Sequence, residues 1–264
     1  MFYSLHFQTR DLEKELVRIR FSSLSIRIKL SDFLCLEDGA LINDTIIDFY
    51  LNHIIEHLAE SCHNVYVFPS LFWHYLISTD DCMKVLLMMT KFTNSETWSN
   101  SLSKADFIVI PINDSDHWSL AIICYPSYSR RDINNRSVSP VVLFDSQQSV
   151  GIPIVNNILP MITKFFNFVN VFNGACEVGL CSFNGFIPQN LPQQENDVDC
   201  GIYILEYAKR FFLSPPNKAC LLKSAFDFSV LYPDFCIYNK RNEIKRVIST
   251  LCIQSIKWKN LMKA

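Results

Sequence analysis

The sequence lacks the features that would send a chain out of the cell or into a membrane. Residues 1–21 show no basic segment followed by an apolar run, as a secretory signal would have. No later stretch stays apolar for the roughly 20 residues that a membrane-spanning helix needs. We therefore expect an intracellular protein with no membrane partner, whose ten cysteines are reduced thiols rather than a disulfide framework.

The sequence also lacks an excess of charge, internal repeats and low-complexity linkers. Its 24 basic and 26 acidic residues leave a formal net charge of -2, which gives no electrostatic reason to expect direct nucleic-acid binding. With 49% hydrophobic residues, a chain of 264 residues can bury a large core. We expect one domain or a closely merged pair.

Apolar spacing predicts an α+β fold with helices at both ends of the chain. The stretch "INDTIIDFYLNHIIEHLAE" has apolar residues at helical spacing behind a cap at Asn43 and Asp44. Further helices are predicted over about 70–77, 81–92, 153–168, 199–212 and 241–256, and strands over 26–30, 105–112, 118–125, 141–145 and 182–189. The polar segment 127–140 is predicted to be a flexible loop.

Two polar residues stand where predicted strands begin or end. His117 lies where a polar turn gives way to a buried strand, and Asp145 follows the last residue of another strand. Functional side chains often occupy such positions, where a rigid element meets solvent-accessible loops. Taken alone, His117 could be a half-buried structural residue and Asp145 could cap a turn.

Cys200 lies where the polar run "QQENDVD" changes to the amphipathic run "CGIYILEYAKRFF". This change places the thiol at a helix N-terminus, where unpaired N–H groups and the helix dipole stabilise a thiolate. Gln194, six residues upstream, could supply an amide that joins the Cys200 backbone N–H in stabilising an oxyanion. The alternative is a small buried hydrophobic residue, the usual role of a cysteine.

Four segments resemble the SUMO-specific cysteine proteases, also called ubiquitin-like-protein-specific proteases. They are "INDTIIDFYLNHI", "FIVIPINDSDHWSLAIICYP", "VVLFDS" and "LPQQENDVDCGIYILEYAKRFF", in the family's order and spacing. The resemblance implies a papain-like cysteine protease fold with a mixed central sheet flanked by helices. It places a catalytic domain at 24–256, an N-terminal extension at 1–23 and a C-terminal tail at 257–264. The finer match is most like the divergent branch that prefers poly-SUMO chains.

The resemblance also implies the role of each catalytic residue. Cys200 would be the nucleophile, His117 the general base and later acid, and Asp145 its orienting partner. Gln194 would be the oxyanion donor. The implied reaction is hydrolysis of the isopeptide or peptide bond that follows the modifier's C-terminal glycine, with neither a cofactor nor a metal.

Substrate contacts are implied for Trp118, Leu41, Asn43 and Asp44. Trp118 would lie over the Gly-Gly tail of the modifier, although a core tryptophan is the alternative. Leu41 stands where many family members have a second tryptophan, so we expect a looser clamp on the tail. The implied partners are SUMO or poly-SUMO conjugates, and the protein is expected to be a nuclear monomer.

Two other functions stay open from the sequence. One is a protease for another ubiquitin-like modifier that ends in Gly-Gly, and the other is a weakly active domain that only binds such a modifier. "CEVGLC" (176–181) offers one cysteine pair, too few ligands for a zinc site. "KRNEIKR" (240–246) could be a nuclear-import patch, but its spacing favours a solvated helix face.

Overall fold

The fold is a mixed sheet between two layers of helices, seen in a computed structural model that describes residues 9–59, 63–92, 102, 104–126, 138–147, 154–172 and 182–261. The strands are β1 (Glu15–Arg20), β2 (Ser25–Lys29), β3 (Val65–Val67), β4 (Phe107–Asp114), β5 (His117–Cys124), β6 (Val138–Phe144) and β7 (Ser182–Phe186). The helices are α1 (Thr9–Leu12), α2 (Leu30–Leu34), α3 (Asp44–His53), α4 (Leu71–Ser78), α5 (Cys82–Phe92), α6 (Ile154–Phe172), α7 (Cys200–Leu213), α8 (Lys218–Leu222), α9 (Phe228–Leu231) and α10 (Lys240–Leu261).

The central sheet has five strands in the order β3-β4-β5-β6-β7. The inner pairs β4-β5 and β5-β6 are antiparallel, whereas β3 and β7 pair in parallel with their neighbours. The mixed sheet flanked by helices confirms the α+β prediction. Since β5 occupies the middle of the sheet, its residues 120–123 are paired with strands on both sides, and its first residues are paired with β4.

Both faces of the sheet are buried, because successive side chains of a strand point to opposite faces. In β5, Leu120 and Ile122 pack into the core shared with α3 and α7, while Ala121 and Ile123 pack into the core shared with α4, α5 and α6. This two-sided burial explains the nearly continuous apolar runs of β4 and β5. The α7 side of the sheet is the one that carries the candidate site.

The N-terminal hairpin of β1 and β2 was only half predicted. Arg18 pairs with Arg27 and Ile19 with Ile26 in an antiparallel register, and Val17 is buried. The alternation of β1 covers only residues 17–20, after a register shift between Glu15 and Val17, and the sequence indicated only its partner. The expected boundary at residue 24 falls between these two strands.

Other limits of elements also differ from the expectations. Segment 127–140 lies outside the described residues as far as 137, but Val138–Pro140 begin β6 and are not loop. The C-terminal helix runs to Leu261, through part of the expected tail at 257–264. After His53, α3 continues as a π-helical turn, Ile54–Leu58. Segment 176–181 lies outside the described residues. Within the described part of the chain, no helix is long and apolar enough to cross a bilayer.

Candidate active site

A tight hairpin turn places His117 at the start of β5. Asp114 at the end of β4 pairs directly with His117, so only Ser115 and Asp116 form the turn. Both turn residues have positive φ, 53° and 62°, as a two-residue turn of the common hairpin type requires. The imidazole therefore extends from a strand end that the tight hairpin with β4 fixes.

His117 and Asp145 form a close pair across β5 and β6. His117 Nε2 lies 2.7 Å from Asp145 Oδ1, and the two side chains are 25% and 4% exposed. The backbone N–H of Gln147 donates to the same carboxylate oxygen at 2.9 Å, which fixes its direction. Hydrogen bonding with Asp145 and then with Cys200 raises the pKa of His117 to about 9. The imidazolium is therefore the favoured form at neutral pH.

Cys200 is the first residue of α7, as the sequence predicts, and it lies beside His117. The cysteine is 2% exposed and packs into the core on the α7 side of the sheet. Since Asp145 occupies Nε2 of the imidazole, Nδ1 is the ring nitrogen that can exchange a proton with the thiol. Cys200 therefore has two neighbours that a cysteine nucleophile uses, the imidazole of His117 and the unpaired N–H groups of a helix N-terminus.

Gln194 is held beside the triad by hydrogen bonds on both ends of its side-chain amide. Ser146 Oγ donates to Gln194 Oε1 at 2.5 Å, and Gln194 Nε2 donates to the carbonyl of Asn196. The backbone N–H of Gln194 also donates to the Ser146 carbonyl at 2.9 Å. Ser146 follows Asp145 directly in sequence. Its hydrogen bonds to Gln194 therefore hold Gln194 close to the residue that orients the imidazole.

The Leu41–Ile42 segment, Trp118 and the start of α7 meet at one point. Trp118 Nε1 donates to the Ile42 carbonyl at 3.0 Å. A Cβ built on Gly201 would stand 2.8 Å from Ile42 Cβ and 3.3 Å from Trp118 Cδ1. Two residues that are distant in sequence, Ile42 and Trp118, thus lie against the residue after Cys200.

The expected substrate contacts differ in how open they are. Trp118 is 3% exposed, which is what the core-tryptophan alternative predicts, so its place over a substrate tail stays a prediction. Leu41 is 50% exposed and can touch a ligand. Asn43 caps α3 by accepting the N–H of Ile46, and Asp44 is exposed in the first turn. The substrate roles of Asn43 and Asp44 stay predictions too.

The sequence did not indicate two residues whose hydrogen bonds hold Asp145 and Gln194 in place. One is Ser146, whose contact with Gln194 is given above, and the other is Gln193, whose Nε2 donates to the Asp145 carbonyl at 3.1 Å. Both stand directly beside a residue that was singled out. Their position next to predicted site residues was the one signal in the sequence for a role at the site. It could not indicate a hydrogen bond between residues 48 positions apart.

Two proteases are similar to this chain over most of its sequence. The chain is 38% identical to Ubiquitin-like protease 4 of Caenorhabditis elegans, over 94% of this chain and 65% of that protein. It is 26% identical to human Sentrin-specific protease 7, over 86% of this chain and 27% of that protein. The chain therefore spans less than two thirds of the length of these relatives.

Solved structures share the fold. The crystal structure of a de-sumoylating protease superposes with a TM-score of 0.66, at 21% identity, and covers 92% of this chain and 96% of that one. The C-terminal Ulp1 protease domain in complex with Smt3, the yeast ortholog of SUMO, gives a TM-score of 0.57 at 23% identity, over 93% and 96% of the two chains. These likenesses confirm the protease fold that the resemblance implied.

A family profile brings the sequence and the fold together. The description of that profile is the Ulp1 protease family, C-terminal catalytic domain, and it matches residues 40–248. The match spans His117, Asp145 and Cys200, as well as the Leu41–Ile42 segment beside them. The chain belongs to the Ulp1 protease family.

Proposed function

We propose that this chain is a cysteine protease that removes SUMO by cutting the bond after its C-terminal glycine. The observation that carries the proposal is His117, which contacts the Asp145 carboxylate on one side and Cys200 on the other. An orienting acid, a base and a nucleophile in line are the parts that nucleophilic acyl transfer requires. Membership of the Ulp1 protease family supports the same reaction.

The mechanism follows from the groups in place. The Cys200 thiolate attacks the glycine carbonyl, and a new C–S bond forms as the carbonyl electrons move to oxygen. The Gln194 amide and a backbone N–H at the start of α7 stabilise this oxyanion. As the oxyanion collapses, the C–N bond breaks and the His117 imidazolium gives its proton to the leaving amine, which leaves a thioester on Cys200. In the second half, His117 takes a proton from water as the water oxygen attacks the thioester carbonyl. The C–S bond then breaks, which frees the modifier's carboxyl end and restores the Cys200 thiolate and the His117 imidazolium.

The substrate is inferred from the relatives and from the exposed segment near the thiol. The name of the human relative is Sentrin-specific protease 7, and the yeast Ulp1 domain was solved with the SUMO ortholog Smt3. Leu41 is exposed and lies in the segment that contacts Trp118. We place the modifier's Gly-Gly tail along this segment, where residues without a Cβ need the least room.

Two finer parts of the proposal concern substrate choice and location. We propose poly-SUMO chains as the preferred substrate, because the sequence is most like the branch with that preference. We also propose that the protein is nuclear and acts as a monomer. The rate of cleavage of a SUMO chain, relative to that of a single SUMO conjugate, tests the first of these.

The proposed function is tested by turnover of SUMO-linked substrates with the wild-type chain and with Cys200→Ser. Wild type should cleave them, and the Ser variant should lose more than ~10³-fold in kcat while it still binds the modifier. Because the swap changes little volume, the thermal unfolding temperature should stay near that of wild type. Cleavage of ubiquitin conjugates measures the modifier preference.

The outcomes separate the alternatives. Wild-type binding without turnover would replace the protease by a binding domain. Cleavage of ubiquitin conjugates in preference to SUMO conjugates would keep the chemistry but change the substrate. A Ser variant that cleaved at the wild-type rate would remove Cys200 as the nucleophile.

A further inference from the structure

The C-terminal helix contributes a buried arginine that the mechanism above does not use. Arg241 lies in the first turn of α10 and is 8% exposed. The prediction that 240–246 form a solvated helix face is wrong for the first two residues, since Lys240 is also buried, at 2% exposure. A guanidinium so far removed from water needs acceptors for its five N–H donors.

Four of these donors find acceptors, in two separate parts of the chain. Its Nη1 donates to the carbonyls of Cys35 and Glu37, at 3.1 Å and 3.0 Å. Its Nη2 donates to the Ala40 carbonyl at 2.8 Å and to Asp199 Oδ1 at 2.7 Å. One rigid, planar group therefore joins the 35–40 segment to the residue that precedes the nucleophile.

Both segments that Arg241 holds lead directly into the site. Asp199 is followed by Cys200, and the 35–40 segment is followed by Leu41. The second oxygen of Asp199 accepts from Asn196 Nδ2 at 2.8 Å, and the Asn196 carbonyl accepts from the amide of Gln194. Hydrogen bonds through Asp199 and Asn196 thus link Arg241 to Gln194, the proposed oxyanion donor.

We propose that Arg241 is a positioning residue of the active site, which acts through Asp199 to fix Cys200 at the start of α7. It also pairs the charge of Asp199, which would otherwise stand as an isolated carboxylate one residue from the thiolate. An unpaired negative charge at this place disfavours a second one. The inference rests on the proposed function, in which Cys200 is the nucleophile.

The test is the rate at which iodoacetamide alkylates Cys200 at pH 7, located by peptide mass spectrometry. Because this small reagent needs no modifier, the readout is independent of the substrate. We expect Arg241→Gln to slow alkylation on the order of tenfold, the size of one close, partly screened charge contact. Adding Asp199→Asn should restore the rate in part, to within about threefold of wild type, because it removes the unpaired charge while the contact between the two side chains stays lost.

Lys245 provides the matched control. It lies one turn further along α10 and pairs with Glu37 at 2.9 Å, so it also joins α10 to the 35–40 segment. Its pair is more exposed and does not reach Asp199. Lys245→Gln should therefore leave the alkylation rate unchanged. If Arg241→Gln does not fold, Arg241→Lys keeps the charge without the forked geometry and should slow alkylation less, in the same direction.

The possible results are distinct. An Arg241→Gln or folded Arg241→Lys variant that alkylates at the wild-type rate would overturn the proposal. So would an Asp199→Asn substitution that slows the Arg241 variant further, since a general loss of structure is additive and is not rescued. Failure of the proposed function appears in the wild type, as a Cys200 no more reactive than the buried Cys124.

Discussion

At the residue scale, the charge on His117 sets the alkaline limit of activity. The Asp145 hydrogen bond is the largest cause of the raised pKa of His117, about 9, and contact with Cys200 is the next. The imidazolium protonates the leaving amine, so kcat/KM should fall as pH rises through about 9. In Asp145→Asn this limb should move down toward 6.5, the ordinary value for histidine. A pH–rate profile of both forms measures the shift.

The same pKa shift has a consequence for stability, with a sign that can be checked. A raised histidine pKa stabilises the folded state fully below about pH 6.5, and the stabilisation is lost as pH rises through about 9. The difference in unfolding free energy between wild type and Asp145→Asn should therefore shrink across that range. In the pH–rate profiles, a fall in kcat/KM at the same alkaline pH in both forms would show that Asp145 does not raise the pKa of His117.

At the element scale, the closeness of α7 to the sheet depends on Gly201. An alanine Cβ there would stand 2.8 Å from Ile42 Cβ, on a branched and buried side chain that cannot move away. Overpacking of this kind costs ~1–3 kcal/mol, partly offset by the ~1 kcal/mol that alanine gains over glycine in a helix. We expect Gly201→Ala to lower the unfolding temperature by a few degrees. We also expect kcat/KM to fall by about tenfold or more, since α7 carries Cys200.

Gly185→Ala in β7 is the matched control for that substitution. Its Cβ would also come within 2.8 Å of a neighbour, but that neighbour is Leu159 Cδ1, the far end of a flexible side chain. The leucine can rotate, so both stability and activity should stay near wild type. Equal losses of activity in the two variants would mean that the fit of α7 against Ile42 and Trp118 is not important for catalysis.

Local patterns explain why most elements were predicted. The apolar runs of β4 and β5, rich in β-branched residues, and the amphipathic run after Cys200 are signals within short stretches of sequence, and the structure has these elements close to where they were expected. The hairpin turn at Ser115 and Asp116 carries no glycine, so its positive φ values could not be inferred. Strand β1 was missed because its alternation of apolar and charged residues covers only residues 17–20.

At the scale of the whole molecule, contacts between distant segments were beyond the reach of sequence patterns. A basic run such as "KRNEIKR" is normally solvated, but Lys240 pairs with the buried Glu206 of α7. Tyr50 of α3 and Lys209 of α7 both donate to Glu243 of α10. Three helices from opposite ends of the chain thus share one cluster of charges. The burial of Trp118 is likewise a property of the assembled core.

The site is likewise assembled from elements that are far apart in sequence. The triad comes from β5, the end of β6 and the start of α7, while Arg241 of α10 reaches the segment before Leu41. A change in one part should therefore be felt at Cys200 when it alters packing or charge next to that residue. It should be silent when it alters only exposed pairs, such as Lys164 with Asp80.

The most direct measurement is covalent capture by a panel of ubiquitin-like proteins that carry a C-terminal electrophile. The expected result is a mass increase of one SUMO, mapped to Cys200, with little capture of ubiquitin and none by Cys200→Ser. Capture should also fall in Asp145→Asn, because His117 no longer supports the thiolate. Labelling by no member of the panel, or labelling at another of the ten cysteines, would contradict the account.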